Sequence, residues 1–358
     1  MFAVIMCGGS GTRFWPASRR QRPKQFLDIT GKGAMVVDTC DRLTSLIADD
    51  RVILILGKEH RKEAGELFKG RSVHILAEPV GRNTAPCMGL GALYARHLGS
   101  EAPVAFLPAD HFISNPEAFL ADLESAGKLA SGGGIVTLGI VPTRPEIGYG
   151  YIRKTPDTTG SDAVSACRVS AFVEKPDIEK AHDYLKSGDY YWNAGIFVAT
   201  PETILTEIEK QLPDLHEGLE QIALSLGTDR FEAEFKKAYE NMEGVSFDYG
   251  IMENTRQQVY VIPSECGWSD VGSWESLYDL KGSERDRDGN LAEGETLLID
   301  CEKSFISSRG DRLVSCLGLR ECLVVDTGDT VLVADLNQSQ NIRKIVERLK
   351  EKKKDALL

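Results

Sequence analysis

Residues 2–26 read FAVIMCGGSGTRFWPASRRQRPKQF and combine an apolar run, a cluster of glycines and a basic segment. The apolar run at 2–6 predicts a buried strand, which breaks into a glycine-rich turn at 7–11. Five cations follow between Arg13 and Lys24, and no acid appears before Asp28, although the net charge of the chain is −12. A tight turn followed by a solvated basic loop is the alternative, but this local charge bias is uncommon.

A strand, a glycine-rich turn and a basic segment together predict a polyphosphate site. Glycines let the backbone approach a ligand closely and point its N–H groups at an anion. Arginine supplies forked donors that suit phosphate, and lysine supplies a point charge.

Two common phosphate-binding templates do not fit this turn. The P-loop requires a lysine directly after its last glycine, and Thr12 follows Gly11 here. The dinucleotide fingerprint requires a third glycine where this chain has Phe14. The second predicted strand ends in Gly57-Lys58 rather than in an acid for a ribose, so an enzyme that transfers hydride to a nicotinamide is disfavoured.

A length of 358 residues suits one large domain with a small one, or two domains, and the hydrophobic content of 42 % is enough for a sizeable core. No stretch approaches the ~20 apolar residues of a membrane span, and the chain opens into a strand rather than a signal peptide. Eight scattered cysteines without a C-x-x-C pair indicate reduced core thiols of a cytoplasmic protein. The acidic charge argues against nucleic acid as a partner.

Up to about residue 140, strand and helix patterns alternate, which predicts an α/β fold with a mainly parallel, doubly wound sheet. The predicted strands are 2–6, 51–56, 73–77, 103–107 and 134–140, and the predicted helices lie near 34–48, 59–69, 84–98 and 116–130. In such sheets ligands bind outside the carboxyl ends of the strands.

The rest of the chain is predicted to complete this domain and to add a small one. Strand signals dominate 148–200, helical signals dominate 201–256, and a polar break at 281–290 indicates a linker. We therefore predict a catalytic domain at 1–283 and a C-terminal domain at 290–358. Short runs in the latter suit a β-helix or β-roll, closed by a helix near 340–354 with an apolar stripe.

Two aspartates are candidate metal ligands. Asp110 follows an apolar strand, and Asp270 lies in the glycine-containing block GWSDVGSW at 267–274. Mg²⁺ takes one or two carboxylates together with phosphate oxygens. The alternative for Asp110 is a turn or helix-capping role.

Three further blocks carry candidate binding residues: EPVGRNTA at 78–85, EKP at 174–176 and YWNAGIF at 191–197. The first opens a predicted helix, whose N-terminus favours an anion, although Asn83 or Thr84 alone would serve as its cap. A carboxylate accepts both donors on the edge of guanine, so Glu78 or nearby backbone carbonyls are the predicted base readers. Glu174-Lys175 alone would also suit an exposed ion pair.

These blocks, taken together, resemble the sugar-1-phosphate nucleotidyltransferases and, more narrowly, the mannose-1-phosphate guanylyltransferases. The resemblance rests on GGSGTRFWP-x-SR with PKQF, on the EKP and WNAG blocks, and on the order of all blocks over residues 2–355. It implies a Rossmann-like mixed sheet followed by a small left-handed β-helix. The block FDYGIME at 247–253 also resembles a family segment near the sugar site, and we take Asp248 as a supporting residue there.

The resemblance assigns roles to residues of this chain. Catalytic roles are implied for Arg13, Lys24 and Asp110, and Mg²⁺ binding for Asp110 and Asp270. The implied nucleotide-binding residues are Gly8, Gly9, Ser10, Gly11, Thr12, Arg13, Lys24, Glu78, Arg82, Asn83 and Thr84. The implied sugar-phosphate-binding residues are Gly148, Tyr149, Glu174, Lys175, Asn193 and Gly195.

The implied reaction joins GTP and mannose 1-phosphate to give GDP-mannose and pyrophosphate. A heptose 1-phosphate acceptor, another nucleotide, or a catalytically silent sugar-nucleotide sensor are the alternatives. Some family members carry an additional isomerase domain with a histidine cluster that this chain lacks, so we expect a monofunctional enzyme. We also expect a homodimer, because the C-terminal β-roll and helix offer surfaces for it.

Overall fold

The computed structural model of the protein describes residues 1–9, 11–99, 101–158 and 166–358. The strands are β1 Phe2–Cys7, β2 Val52–Gly57, β3 His74–Glu78, β4 Val104–Pro108, β5 Phe112–Ile113, β6 Ile135–Ile140, β7 Tyr151–Thr158, β8 Cys167–Val173, β9 Tyr190–Ala199, β10 Val259–Ser264, β11 Trp268–Ser269, β12 Leu291–Glu293, β13 Thr296–Ile299, β14 Phe305–Ser308, β15 Val314–Leu317, β16 Cys322–Asp326 and β17 Val331–Asp335. The α-helices are α1 Met35–Leu43, α2 Arg61–Leu67, α3 Thr84–His97, α4 Pro116–Ala130, α5 Ile178–Ser187, α6 Pro201–Gln211, α7 Pro213–Ala223, α8 Phe231–Asn241, α9 Trp274–Leu280 and α10 Arg343–Glu351. Within these ranges no helix is both long and apolar enough to cross a bilayer.

The chain forms two compact units, each assembled from separate segments. The sheet unit comprises Met1–Gly8, Thr39–Ala109 and Ile113–Trp268. The β-helix unit comprises Gly9–Asp38, Asp110–Phe112 and Ser269–Leu358. This division differs from the predicted domains, 1–283 and 290–358, because the glycine-rich segment and the block around Asp270 pack with the C-terminal residues.

The sheet unit is built on a mixed sheet, which among the described residues has nine strands in the order β3-β2-β1-β4-β9-β6-β10-β8-β7. The predicted parallel pairing is confirmed for β3-β2-β1-β4. The strand β6 also pairs in parallel, with β10, which lies outside the first 140 residues. The arrangement is less parallel than the first 140 residues indicated, because β9 inserts antiparallel between β4 and β6, and β7 and β8 also run antiparallel.

Helix α3 is buried on nearly all sides, since it lies between the sheet and a second layer of helices. Residues 85–93 are all buried, which suits a helix that is apolar all round. Two glycines allow this close packing. A Cβ on Gly91 would lie 2.7 Å from the methyl groups of Val4 in β1, and one on Gly89 would lie 2.6 Å from Leu219 in α7.

The β-helix unit stacks short parallel strands, as the sequence predicted. The strands β12, β14 and β16 pair in parallel, as do β13 and β15, whereas β17 pairs antiparallel with β16. The sequence missed β12, which has three residues and directly follows the polar break. That break is an ordered turn rather than a linker: Asp286 accepts from the backbone and side chain of Asn290, whose amide also donates to the Cys301 carbonyl.

The core of the β-helix unit is centred on Trp274, which is fully buried. Its ring lies 5.1 Å from that of Phe14 and 5.5 Å from that of Phe305 in β14. This packing explains why residues 9–38 belong to the unit. The predicted apolar stripe of the last helix also reaches this core, since Val346 is 4 % exposed, whereas Ile345 is 37 % exposed.

The contact between α3 and β1 predicts that Gly91→Ala destabilises the protein. The added methyl group would overlap Val4, and overpacking of this kind costs about 1–3 kcal/mol. Gly65→Ala in α2 is the matched control, because a Cβ there has no neighbour within 4 Å and alanine favours a helix. We expect a lower urea midpoint for Gly91→Ala and an unchanged or higher one for Gly65→Ala. Equal midpoints for the two variants would contradict the packing described.

Candidate active site

The glycine-rich turn is shaped by Gly11, the residue that approaches Lys24 most closely. Gly11 has φ +56°, and a Cβ built on it would lie 2.8 Å from the backbone nitrogen of Lys24. The carbonyl of Gly11 accepts a hydrogen bond from Ser18 Oγ at 2.5 Å. Position 11 therefore has no room for a larger residue, whereas a Cβ on Gly8 or Gly9 would have no neighbour within 4 Å. Gly8 and Gly9 precede it, and Ser10 lies outside the described residues.

Lys24 is a buried cation, 4 % exposed, whose three ammonium protons all have acceptors. Its Nζ donates to the Asp110 carbonyl at 2.8 Å, to Asp110 Oδ2 at 3.0 Å and to the Asp270 carbonyl at 2.6 Å. An ammonium group has three donors, so these contacts use the full set. Within the β-helix unit, Lys24 thus joins the two loops that carry the predicted metal ligands.

The electrostatics around Asp110 favour its ionised form. Burial alone would raise the pKa of this carboxyl group, but the charges of Lys24 and His111 and the Lys24 hydrogen bond outweigh it, so the pKa lies below its usual value. Asp110 is therefore a carboxylate at neutral pH, as a metal ligand must be.

Asp270 and Arg13 meet at the backbone of Gly272. Asp270 Oδ1 accepts a hydrogen bond from the Gly272 N–H at 3.1 Å, and Arg13 Nη1 donates to the Gly272 carbonyl at 3.4 Å. Arg13 is exposed, so its guanidinium group is accessible to an anion in solution. The preceding residue, Thr12, is half-buried. Of the other cations of this segment, Arg20 is exposed like Arg13, whereas Arg19 pairs with Asp329 at 3.0 Å.

The carboxylate groups near Lys24 suit Mg²⁺ better than a structural metal. Among the described residues, no cluster of three or more histidine, cysteine, aspartate or glutamate side chains is poised to hold a metal. Asp110 and Asp270 offer two carboxylates from neighbouring loops. Mg²⁺ uses one or two carboxylates and takes its remaining ligands from water and phosphate, whereas structural zinc requires four protein ligands. The residues present therefore fit Mg²⁺.

A second polar cluster lies in the sheet unit around Asn193 of β9. Its Nδ2 donates to Asp248 Oδ1 at 2.9 Å, and its Oδ1 accepts from the Gly195 N–H at 2.9 Å. Its own N–H donates to the Gly150 carbonyl at 2.8 Å. Glu174 reaches the same place, since a Cβ on Gly150 would lie 2.2 Å from Glu174 Oε1. We call Glu174, Asn193 and Asp248 the acceptor cluster.

The two carboxyl groups of the acceptor cluster bind protons more tightly than usual. Burial raises the pKa of Glu174 to about 7, and the charge of Asp248 adds to the effect, while Lys175 and the Asn193 hydrogen bond oppose it. Burial likewise raises the pKa of Asp248, against the hydrogen bond from Asn193. All three residues of the acceptor cluster are half-buried, and carboxyl groups with raised pKa values are frequent at functional sites.

The remaining residues predicted to bind the sugar phosphate lie around this cluster in sequence and differ in setting. The ring of Tyr149 packs edge-on against Trp192 and Trp268, each at 5.3 Å. The N–H of Gly148 donates to Glu146 at 2.9 Å. Lys175 is exposed and has φ +48°, a strained conformation for a lysine that is common at functional positions.

Glu78, one of the two predicted base readers, is 6 % exposed and accepts a hydrogen bond from the hydroxyl group of Tyr239 in α8. Burial raises the pKa of Glu78 to about 7, although the Tyr239 hydrogen bond lowers it. This interior position favours the other predicted reader, the backbone carbonyls of the same block, for contact with a base.

The residues that follow Glu78 hold the start of α3 against the segment before residue 248. Arg82 donates to the carbonyls of Tyr239 and Glu240 at the end of α8, which also suits the helix dipole. Asn83 caps α3 by accepting from the Thr84 N–H at 2.9 Å, and Thr84 Oγ1 accepts from the Phe247 N–H at 2.8 Å. Structural roles are thus visible for these three residues, and nucleotide contacts stay a prediction.

Comparison with known proteins agrees with this geometry. Residues 2–287 match the nucleotidyl transferase family, and residues 294–349 match the MannoseP isomerase/GMP-like beta-helix domain. The second match contains the strands β13 to β17 and most of α10.

Individual relatives cover nearly the whole chain. It is 40 % identical over 353 residues to the mannose-1-phosphate guanylyltransferase of Salmonella montevideo, covering 97 % of this chain and 73 % of that protein. It is 38 % identical over 356 residues to the mannose-1-phosphate guanylyltransferase of Escherichia coli strain K12, covering 98 % and 73 %.

A solved structure from Thermus thermophilus, described as a mannose-1-phosphate geranyltransferase, superimposes with a TM-score of 0.87 at 33 % identity, covering 98 % of this chain and 99 % of that one. Together with the family match over residues 2–287, these relatives show that the chain belongs to the nucleotidyl transferase family, among the mannose-1-phosphate guanylyltransferases.

Proposed function

We propose that the protein transfers the guanylyl group of GTP to mannose 1-phosphate, releasing pyrophosphate and forming GDP-mannose. The observation that carries the proposal is the buried ammonium of Lys24, which joins the loops of Asp110 and Asp270 next to the glycine-rich turn. The identity of 40 % to a mannose-1-phosphate guanylyltransferase over 97 % of the chain supports the choice of substrates.

The chain's cations neutralise the nucleotide in this proposal. An oxygen of the sugar phosphate attacks the α-phosphorus of GTP while pyrophosphate departs, so no covalent enzyme intermediate forms. The residues therefore contribute position and charge rather than a nucleophile. Arg13, which is exposed, and Lys24 neutralise the phosphates. Mg²⁺, held by Asp110 and Asp270, would supply further positive charge to the phosphate oxygens when bound.

The acceptor cluster binds the sugar in this proposal. The carboxylate of Glu174 accepts hydrogen bonds from hydroxyl groups, and Asn193 offers its amide, whose orientation is fixed by Asp248 and Gly195. Lys175 is exposed and supplies a cation for the sugar phosphate.

A homodimer and a cytoplasmic location complete the proposal. The exposed apolar side chains Leu297, Ile299 and Leu317 of the β-helix unit support the dimer.

The direct test is pyrophosphate release with Mg²⁺, crossing GTP, ATP, UTP and dTTP with mannose, glucose and heptose 1-phosphates. We expect fast release with GTP and mannose 1-phosphate alone. Release with another pair would assign a different nucleotide or sugar phosphate as substrate. Absence of release with every pair would indicate a catalytically silent sensor.

We expect Lys24→Ala to lose about 3 kcal/mol of transition-state stabilisation, as for other single electrostatic donors. Turnover in this assay should fall accordingly. Lys32→Ala is the matched control, because it removes the same charge from an exposed position of the same unit. Near-normal turnover by Lys24→Ala would contradict the proposed role of the cation.

The pKa of Glu174 predicts how acceptor binding depends on pH. Because this carboxyl group is protonated below about pH 7, it accepts hydroxyl protons fully only above that value. We expect calorimetry to show tighter binding of mannose 1-phosphate as the pH rises through the pKa of Glu174, beyond the ionisation of the phosphate itself. Glu174→Gln should lose this gain, whereas Glu253→Gln, a nearby exposed carboxyl, should retain it. The same gain in Glu174→Gln would remove Glu174 from the binding site.

The position of Glu78 predicts that Glu78→Gln keeps the preference for GTP over ATP. Its side chain is turned to Tyr239 in the interior, so backbone carbonyls are the expected base readers. The ratio of kcat/KM for the two nucleotides measures this. Tyr239→Phe, which removes the partner of Glu78, should leave the ratio unchanged too. A marked fall of the ratio in Glu78→Gln would assign base reading to the carboxyl group.

A further inference from the structure

The three hydrogen bonds of Lys24 are of two kinds. Two go to main-chain carbonyls, those of Asp110 and Asp270, at 2.8 and 2.6 Å. These acceptors belong to the backbone of the β-helix unit and stay in place when side chains rotate. The third goes to Asp110 Oδ2 at 3.0 Å, a carboxylate oxygen that is also a candidate metal ligand.

The Asp110 carboxylate cannot bind a divalent ion and the Lys24 ammonium group equally well at the same time. A divalent ion that takes Asp110 repels the ammonium group and withdraws electron density from Oδ2, so the third hydrogen bond weakens. An ammonium group that is 4 % exposed then needs another acceptor, because a buried donor without a partner is costly. A phosphate oxygen of the nucleotide is such an acceptor. Because it is negatively charged, its hydrogen bond with the ammonium group is stronger than one with a neutral acceptor.

We propose that Lys24 has one exchangeable N–H, which is donated to the Asp110 carboxylate until a divalent cation takes that group and is then donated to a phosphate oxygen. The two backbone bonds hold the ammonium group in place during the exchange. The inference rests on the proposed function in that Mg²⁺ and a nucleoside triphosphate are the ligands.

The exchange makes metal and nucleotide bind together. Without nucleotide, Lys24 competes with the metal for Asp110, so the metal binds weakly. Without metal, Asp110 competes with phosphate for Lys24, so the nucleotide binds weakly. Each ligand removes the competitor of the other, and such coupling is reciprocal. Lys24 is therefore a positioning residue for the metal ligand as well as a phosphate contact.

Metal binding can be measured without turnover, using Mn²⁺ detected by electron paramagnetic resonance and no sugar phosphate. In the protein alone, Lys24→Met should bind Mn²⁺ about tenfold more tightly than the unaltered chain, a factor typical of site-to-site coupling. The variant keeps a side chain of similar length and removes the charge of Nζ, which lies 5.8 Å from the centre of the Phe14 ring. Affinity that is equal or weaker in a folded Lys24→Met protein would overturn the proposal, since a merely structural lysine does not weaken metal binding.

A double-mutant cycle separates exchange from simple charge repulsion. The affinity of the α,β-methylene analogue of GTP is measured in EDTA for the unaltered chain, Asp110→Asn, Lys24→Met and the double variant. Asp110→Asn should tighten binding about tenfold when Lys24 is present and by less than about twofold when it is combined with Lys24→Met, the signature of coupled residues. Equal tightening in both backgrounds would show repulsion alone and overturn the proposal.

These measurements do not depend on product formation. A chain that binds Mn²⁺ and the analogue with the expected coupling but releases no pyrophosphate would retain the exchange and refute the proposed reaction. A chain that makes GDP-mannose without the coupling would retain the reaction and refute the exchange. Thermal unfolding of all four proteins establishes that each is folded.

Discussion

The buried charge of Lys24 is the constraint on which the site depends. Removing an ammonium group from water costs several kcal/mol unless acceptors surround it. Three oxygens from two loops meet this requirement, so the loops of Asp110 and Asp270 are held at fixed distances from one atom. The position of Lys24 also requires a glycine at residue 11, because any side chain there would displace the backbone of Lys24.

The acceptor cluster also removes ionisable groups partly from water, but its groups are acidic rather than basic. Glu174 and Asp248 are carboxyl groups withdrawn from water, and both hold protons to higher pH than usual. Asn193 satisfies one of them while its own orientation is fixed by the Gly195 N–H. Neither cluster is explained by the stability of the fold alone, since apolar residues would fill both places at lower cost. The proposed binding of polar substrates would account for them.

The sequence predicted the strands β1 to β4 and β6 and the helices α1 to α4, because these depend on local periodicity and turn residues. It could not predict contacts made by single residues far apart in the chain. Tyr239 lies on an amphipathic helix like many tyrosines, and only the fold brings it to Glu78. The importance of Asp248 for orienting Asn193 was signalled solely by its block. The sequence also gave no sign that residues 9–38 join the β-helix unit, because Trp274 packs with Phe14, a partner that no local pattern reveals.

The β-helix unit draws residues 9–38 and 269–358 into one core. A ribosome adds about 5–20 residues per second, so the glycine-rich segment waits on the order of 10–50 s before its packing partners exist. During that interval Phe14 and Trp15 lack the partners with which they form this core. The N-terminal segment is thus made first and buried last, which gives newly made chains a period of exposed aromatic surface in which chaperones or aggregation compete with folding.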